Sequence, residues 1–320
     1  MAGNDGNRGT GLRGRGNIIQ MRDRVLVIIL NYNTWQRTVD TIDMLTHTLC
    51  IAPDDILVVD NASTNDSCEQ LQSRQTEISD RQTDAFRQQT IRFHLHRAER
   101  NAGYAAGNNI GIRYARQQGY QYAWILNNDI LIDDKDILIK MLHVIKNDPK
   151  TAIVNPDIYS PDGHMFNREA KRPTFWDYTF GMFRYRKLGR QIADIGGYGY
   201  VYRPQGCCML ADLKKLEEAG DLDEHTFLYG EEVILAERLL KKNYLCACCT
   251  EGRVIHDHSS TVKDYFTKRK LKDIKLKSFR YYLTAYRGYP LWKMRIASAF
   301  YGLKLDLLER NIPESGMRRR

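Results

Sequence analysis

The sequence lacks long hydrophobic runs. In its 320 residues no apolar stretch approaches the roughly 18 residues that a membrane-spanning helix requires. The N-terminus is rich in Gly, Arg and Asn and has no apolar segment typical of a secretory signal. Hydrophobic residues make up 42% of the chain and charged residues 27%, as in ordinary globular proteins. We therefore expect a cytoplasmic protein, built either as one large α/β domain with an appendage or as two domains.

Cysteines are few and show no sign of a disulfide framework. There are seven, an odd number, and two adjacent pairs occur at Cys207–Cys208 and Cys248–Cys249. Without a secretory signal, reduced thiols are the expectation. Cys246 and the second pair are interpreted as small core residues of a strand.

Positive charge is concentrated at the two ends of the chain. Residues 263–320 hold 16 Lys and Arg against five Asp and Glu, and residues 1–24 hold five Arg against two Asp. We predict a disordered basic arm over 1–24 and a basic amphipathic helical tail over 263–320. A basic end favours an anionic surface, although a solvated helix face is the alternative. Residues 263–311 are the segment expected to make any peripheral contact with the inner membrane face, and no nucleic-acid partner is expected.

Between these ends, strands and helices alternate. Continuous apolar runs predict buried strands, VLVIIL beginning at Val25 and ILVVD ending at Asp60. Further strands are predicted in IRFHLHR and YAWILNND, and helices over 104–118 and 135–147. Four such alternations predict βαβ units on a mostly parallel sheet. Ligands bind beyond the carboxyl ends of such strands. The polar residues at those ends are Asn31, Asp60, Asn101 and Asp129.

The second half of the sequence is less regular. Residues 163–205 are aromatic and basic and are interpreted as long loops and short strands over a cleft. A buried strand is predicted from Gly206, a helix over 231–243 and a strand over 244–248, followed by a loop with His256 and His258.

Three groups of residues carry potential chemistry. Asp129 follows a buried strand and can hold a divalent cation, although a simple turn with Asp133 or Asp134 as a helix cap also fits. Glu231 and Glu232 open a helix, where acids are good dipole partners. A carboxylate there can also act as a general base, because a glutamate with a pKa near about 4.3 is ionised at pH 7. The imidazole of a histidine such as His256 suits Mn²⁺.

Together these segments resemble a known family. The chain is similar to the family 2 inverting nucleotide-sugar glycosyltransferases of the GT-A fold, especially the rhamnosyltransferase-like members that build bacterial surface polysaccharides. The resemblance spans residues 25 to about 260 and rests on seven segments in order: VLVIILNYN, VVDNASTND, RNAGYAAGNNIGIRYA, WILNND, GCCML, FLYGEEVILAERLLKKNY and VIHDHSST. It implies a Rossmann-like sheet with flanking helices over 25–262, followed by a C-terminal helical extension. Within that domain, 25–150 would be the nucleotide-binding half and 151–262 the acceptor and catalytic half.

The resemblance also implies residue roles. Glu232 would be the catalytic base with Glu231 as the alternative, and Gly206 would lie near the donor sugar. Asp129 and His256 would hold Mn²⁺ or Mg²⁺. Nucleotide binding is implied for a larger set, namely Asn31, Tyr32, Asp60, Asn101, Gly103, Asn108 and Asn128. The donor would be a UDP-, dTDP- or GDP-linked sugar, and the acceptor a glycan or a lipid-linked hydroxyl, with aromatic contacts from 163–203.

Two positions depart from the family pattern. The usual Asp-x-Asp is Asn127-Asn128-Asp129, which leaves one carboxylate and predicts weak metal binding without donor. The usual Glu-Asp-Val-Asp is Glu231-Glu232-Val233-Ile234, so the base carries one extra methylene. A nucleotidyltransferase of similar fold is a competing hypothesis, but it would want a Gly-rich phosphate loop where this chain has NYNTWQRT. A binding protein on an inactive scaffold is the other alternative.

Overall fold

A computed structural model describes residues 24–76, 93–165, 168–181, 192–257 and 266–310. Nearly all of the predicted N-terminal arm lies outside these ranges, as does His258. The fold can therefore be followed from the first predicted strand to the C-terminal helices, with the site residues inside the described part.

One sheet runs through the described chain. Its strands are β1 (Val25–Asn31), β2 (Ile56–Asp60), β3 (His94–Arg97), β4 (Tyr122–Leu126), β5 (Ile130–Leu131), β6 (Thr151–Tyr159), β7 (Tyr198–Val201), β8 (Cys208–Asp212) and β9 (Leu245–His256). Their order is β3-β2-β1-β4-β8-β6-β9-β5. Strand β7 lies off this path and pairs with the first part of β9, at Cys246–Cys249, whereas β5 pairs with its end. The first four strands end at the same edge of the sheet, and the predicted polar residues stand at these strand ends or shortly after them.

The sheet is parallel in its first half and mixed in its second. Strands β3, β2, β1 and β4 pair in parallel. Strand β8 runs antiparallel to both β4 and β6, and β5 and β7 run antiparallel to β9. The expected parallel character therefore holds for β3, β2, β1 and β4, and β6 also pairs in parallel with β9 in the second half. Buried strands read as apolar runs in either orientation, so the pattern of Cys208–Asp212 could not reveal its direction.

Helices cover both faces of the sheet. They are α1 (Trp35–Asp43), α2 (Ser67–Thr76), α3 (Tyr104–Gln117), α4 (Ile137–Asn147), α5 (Leu213–Glu218), α6 (Glu231–Lys241), α7 (Lys268–Tyr281) and α8 (Leu291–Arg310). Alternate residues of β1 point to opposite cores. Val27 and Ile29 pack toward α1, α2 and α4, whereas Leu26 and Ile28 pack toward α3, α5 and α6. This is an α/β layered fold, as predicted.

The C-terminal helices pack on the domain. A third apolar cluster joins Ile234 of α6 to Tyr282, Leu283 and Ala297. Helix α7 continues into a π-helical turn, Tyr282–Tyr286, which carries two of these residues. The predicted helical C-terminal region is thus confirmed. Among the described residues, no helix has both the length and the apolar composition to cross a bilayer.

Several local predictions change. Strand β9 is longer than expected, so His256 is its last residue and does not lie in a loop. The cap residue of α4 is Asp136, not Asp133 or Asp134. The cysteines of β9 are buried free thiols, as predicted.

Candidate active site

A two-residue strand brings Asp129 and His256 together. Strand β5 pairs antiparallel with the end of β9, which sets Ile130 opposite His256. The Oδ1 atom of Asp129 consequently lies 3.0 Å from Nε2 of His256. The side chains are only 9% and 8% exposed, respectively. Two residues that the sequence placed in separate motifs thus form one buried pair.

This pair fits a divalent cation that is shared with another ligand. Adjacent ligands of an octahedral ion with bonds of about 2.1 Å are about 3.0 Å apart, which matches the oxygen–nitrogen spacing. Within the described ranges, no group of three or more His, Cys, Asp or Glu could hold a metal. The pair therefore suits an ion that takes its other ligands from a bound phosphate or from water.

The two glutamates at the start of α6 differ in environment. Glu231 is buried at 4% exposure, whereas Glu232 is half-buried. Burial, together with the charge of Glu232, raises the pKa of Glu231 to about 8. Glu231 is therefore mostly protonated at pH 7. Gly230 precedes the helix with φ of 93°, a left-handed conformation that glycine adopts readily and that starts α6 abruptly.

Glu232 faces a glycine and a partly buried tyrosine. The hydroxyl of Tyr104 donates to the carbonyl of Gly206 at 2.6 Å. A Cβ added to Gly206 would lie 2.9 Å from that hydroxyl and 3.4 Å from Oε1 of Glu232. Burial, followed by the charge of Glu232, raises the pKa of Tyr104 well above its usual value, so it remains a neutral donor. Sequence reasoning missed Tyr104, although it directly follows Gly103.

Cys207 connects the part of the site at Glu231 and Glu232 to the pair formed by Asp129 and His256. Its buried thiol has a pKa well above the usual value, mainly through burial, and the charges of Asp129 and Glu232 add to the effect. Its carbonyl also accepts from the backbone N–H of Asn127 at 2.8 Å. Because Gly206 lies beside Glu232 and Asn127 is two residues before Asp129, the segment Gly206–Cys207 connects the Glu232 part of the site to the segment that carries Asp129.

Asn31 and Asp60 form a buried network at the ends of β1 and β2. The side-chain amide of Asn31 donates to Oδ2 of Asp60 at 2.8 Å. Asp60 also accepts from the backbone N–H of Ser63 at 2.9 Å and from its hydroxyl at 2.6 Å. Neither Asn31 nor Asp60 has exposed surface. The geometry shows them fixing the turns of the site, whereas their contact with a nucleotide stays a prediction.

Asn128 extends this network to β4. Its amide donates to the hydroxyls of Thr34 and Thr38 at 2.8 and 2.9 Å. Thr38 in turn donates to Oδ1 of Asn31 at 2.9 Å. Asn128 is 8% exposed, so its amide tethers the segment before Asp129 to α1. The two threonines were missed as site residues because threonine on a helix usually signals nothing beyond packing.

A second network shapes the turn before α3. Asn61 donates to Oδ1 of Asn101 at 3.1 Å and to the carbonyl of Gly103 at 3.3 Å. Gly103 has φ of 101°, and a Cβ there would lie 2.1 Å from the carbonyl oxygen of Phe227. This close approach joins the turn to the loop that leads into α6. Asn61 was missed, although it follows Asp60 directly.

The remaining predicted nucleotide residues lie on either side of these turns. Asn108 is fully buried on α3, and its amide donates to the carbonyl of Tyr104 at 2.9 Å. Tyr32 is half-buried and directly follows β1. Contact of Tyr32 with a nucleotide therefore stays a prediction, whereas the amide of Asn108 holds the backbone at Tyr104.

A cavity of about 430 Å³ borders the Asp129 side of the site. It lies between α1 and β5, and Leu131, 57% exposed, lines it. Polar lining residues surround this apolar wall, namely Arg37, Asp40, Thr41, Asn128, Asp129, Asp133 and Asp257. This cavity was not predictable from the sequence, because its walls come from distant segments.

Solved structures share the fold at low sequence identity. A mannosyltransferase, PcManGT, from Pyrobaculum calidifontis in complex with GDP-Man and Mn²⁺ superposes with a TM-score of 0.56 at 14% identity, over 94% of this chain and 77% of that one. Residues 1–349 of TarS from S. aureus in complex with UDP-GlcNAc give 0.53 at 10% identity, over 92% and 76%. The fold is that of the GT-A glycosyltransferases.

Sequence comparison identifies the family. The model of glycosyl transferase family 2 matches residues 26–207, more than half of the chain. The chain belongs to this family. It is also 28% identical over 162 residues to the low-salt glycan biosynthesis hexosyltransferase Agl10 of Haloferax volcanii. That match spans 49% of each protein, so the chain spans about half the length of this curated relative.

Proposed function

We propose that the protein transfers a sugar from a nucleoside-diphosphate donor to an acceptor hydroxyl, with inversion, during assembly of a glycan. The observation that carries the proposal is the segment Gly206–Cys207: Gly206 lies beside Glu232, and the Cys207 carbonyl accepts at 2.8 Å from the backbone N–H of Asn127, two residues before Asp129. A carboxylate for the donor side and a carboxylate for the acceptor side therefore share one site. Membership of glycosyl transferase family 2 supports the same reaction.

Glu232 is the proposed base. A sugar hydroxyl is a weak nucleophile and must lose its proton as the new bond forms. Glu231 retains its own proton at pH 7 because burial raises its pKa to about 8, so it cannot accept another. Glu232 takes the acceptor proton, and the hydroxyl oxygen attacks the anomeric carbon opposite the departing diphosphate. One in-line displacement of this kind inverts the anomeric configuration.

Gly206 and Tyr104 line the site beside Glu232, the proposed base. Gly206 has no side chain and packs directly against Tyr104 and Glu232, and we propose that the donor sugar lies beside this group. The Tyr104 hydroxyl donates to the Gly206 carbonyl at 2.6 Å and holds the backbone of Gly206 in place. A fixed backbone beside the base favours catalysis, because the reacting atoms must be held near attack distance.

Asp129 and His256 are the proposed ligands of Mn²⁺ or Mg²⁺, which would offset negative charge on the donor diphosphate. The mannosyltransferase of similar fold contains Mn²⁺ together with its GDP-linked sugar. With one carboxylate and one imidazole from the protein, ion binding should depend on the presence of a diphosphate.

The turns after β1, β2 and β3 are proposed to bind the nucleotide of the donor. Tyr32, Asn101 and Gly103 are the proposed nucleotide contacts. The buried hydrogen bonds of Asn31, Asp60, Asn108 and Asn128 support these turns. The similar structures contain GDP-Man and UDP-GlcNAc, so GDP- and UDP-sugars are the first candidates, with dTDP-sugars beside them. A glycan or lipid-linked hydroxyl is the proposed acceptor.

A thermal-shift screen tests this function. UDP-, GDP- and dTDP-sugars are added to the full chain with and without Mn²⁺. We expect at least one donor to raise the melting temperature, more strongly with Mn²⁺ than without. If no donor shifts the melting temperature and no nucleotide is released, the chain is an inactive scaffold and the proposal is wrong.

A further inference from the structure

Exposed apolar side chains are concentrated at the C-terminal helices. Among the described residues, eleven large hydrophobic side chains are exposed, and seven of them lie on α8 or in the segment 176–180. We define these seven as the apolar surface: Trp176, Phe180, Leu291, Trp292, Ile296, Leu303 and Leu307. Single exposed apolar residues are ordinary, but a contiguous patch indicates an interaction site.

The two segments form one continuous surface. On α8, Trp292, Ile296, Leu303 and Leu307 recur at helical spacing and share one face. The ring of Phe300 lies 5.1 Å from that of Phe180, which lies 5.1 Å from that of Trp176. These ring contacts attach the 176–180 segment to the helix, and Phe175 contacts Trp292 at 6.1 Å.

Positive charge surrounds the apolar surface. Residues 268–310 contain twelve Lys and Arg against three Asp and Glu. Arg295 is exposed on α8 beside Ile296, and the Lys293 ammonium lies 5.4 Å from the ring centre of Trp292. One of the three acids, Asp306, is paired with Lys272 at 2.5 Å. The surface therefore combines apolar side chains and tryptophans with an excess of positive over negative residues in the same segment.

We propose that this surface docks on an anionic lipid bilayer. Tryptophan rings favour the membrane–water interface, apolar helix faces enter it, and Lys and Arg bind anionic head groups. A second copy of the chain fits less well, because it would gather the excess positive charge of both copies around one interface, where like charges repel. The charge pattern thus selects a lipid surface over self-association.

The docking helices also hold the start of the catalytic helix. The hydroxyl of Ser278 on α7 donates at 3.1 Å to the carbonyl of Leu228, three residues before Glu231. The π-helical turn contributes Tyr282, whose hydroxyl lies 2.8 Å from that of Tyr202. Tyr202 donates to Glu237 of α6 at 2.6 Å. Docking would therefore fix the orientation of the candidate site relative to the membrane, which, if the proposed function holds, suits a lipid-linked acceptor.

Vesicle co-sedimentation tests the proposal with the full chain, without donor or metal, so that the outcome is independent of glycosyl transfer. The probes are phosphatidylcholine vesicles with and without phosphatidylglycerol. We expect binding to the anionic vesicles and at least about tenfold weaker binding to the neutral ones. Tryptophan emission should shift to the blue on binding, because Trp176 and Trp292 are 62% and 56% exposed in the free protein.

Matched variants separate the surface from general apolar exposure. The double variant Trp292→Ser/Leu303→Ser should bind anionic vesicles at least about tenfold more weakly, because its apolar face is interrupted. Ile139→Ser, at a position 40% exposed on α4, should bind as the unmodified chain does. Lys293→Glu/Arg295→Glu should lose binding to anionic vesicles, whereas Lys150→Glu should retain it. Circular dichroism and the melting temperature check that every variant is folded.

Three outcomes would overturn the proposal. The first is no binding of the unmodified chain to anionic vesicles. The second is equal binding by the folded Trp292→Ser/Leu303→Ser variant. The third is a dimer in sedimentation velocity that this variant converts to a monomer while vesicle binding is absent, which would assign the surface to a second copy.

Discussion

Asp129 and His256 meet through the antiparallel pairing of β5 with β9, which holds Oδ1 and Nε2 3.0 Å apart in a nearly buried site. Neither residue would be near the other without the two-residue strand Ile130–Leu131. The arrangement links the end of the nucleotide-binding half to the last strand of the sheet, and it is the part of the site that a cation would bind.

Replacement of His256 should weaken ion binding more than fold stability. His256→Ala removes one of two proposed protein ligands, so Mn²⁺ affinity in the presence of a nucleoside diphosphate should fall by at least about tenfold. Isothermal titration calorimetry measures it. The control is His143→Ala, at an exposed position on α4. Equal Mn²⁺ affinity in His256→Ala and the unmodified chain would remove this residue from the metal site.

The protonated state of Glu231 should appear as a pH dependence of stability. In the folded protein its pKa is about 8, whereas the reference value is 4.5. Between these values the unfolded chain has lost the proton and the folded chain still holds it, so stability falls as pH rises through the interval. The loss should be on the order of a few kcal/mol between pH 5 and pH 8.5.

Urea denaturation at several pH values measures this effect. Glu231→Gln should flatten the fall in stability, because glutamine does not titrate. Glu99→Gln, which alters an exposed carboxylate, should keep the slope of the unmodified chain. A steep slope that persists in Glu231→Gln would show that another group is responsible.

Gly103 should be intolerant of any side chain. Alanine there would bring a Cβ to 2.1 Å from the carbonyl oxygen of Phe227 and would also strain a backbone with φ of 101°. We expect Gly103→Ala to destabilise the fold by about 2 to 4 kcal/mol in urea denaturation. At Gly163, φ is 81° but no atom lies within 4 Å, so Gly163→Ala should cost about 1 kcal/mol. Similar costs at both positions would contradict the close approach as the cause.

Gly206 should matter for turnover more than for folding. A Cβ there would press on the Tyr104 hydroxyl at 2.9 Å and approach Glu232 at 3.4 Å. Gly206→Ala should therefore lower kcat/KM for nucleotide release by about tenfold or more. Adding Tyr104→Phe removes the crowded hydroxyl and should recover part of the stability lost in the single variant. Unchanged kcat/KM in a folded Gly206→Ala would place the donor sugar elsewhere.

Much of the layered fold was predictable because buried strands leave continuous apolar runs. Val25–Asn31 and Ile56–Asp60 were identified in this way, and the alternation with helices gave the order of the first half. The direction of Cys208–Asp212 was not predictable, because burial on both faces looks the same in either orientation. Strand β5 was also missed, since two residues carry no periodicity.

The candidate site was likewise predictable in part from the sequence. Order along the chain identified Asp129, Glu232 and His256 as residue types that suit the chemistry. It could not show that Asn31 and Asp60 are fully buried partners of one another, because burial depends on the packing of α1. It also could not separate Glu231 from Glu232, which differ in exposure rather than in sequence context.

The most direct test of the central claim compares these two glutamates in one assay. Release of nucleotide from the donor found in the thermal-shift screen is measured with Mn²⁺ and acceptor for the unmodified chain, Glu232→Gln and Glu231→Gln. If Glu232 is the base, Glu232→Gln should lose about 10² to 10⁴ in kcat, while Glu231→Gln should stay within about tenfold of the unmodified rate. A dead Glu231→Gln beside an active Glu232→Gln would contradict the assignment.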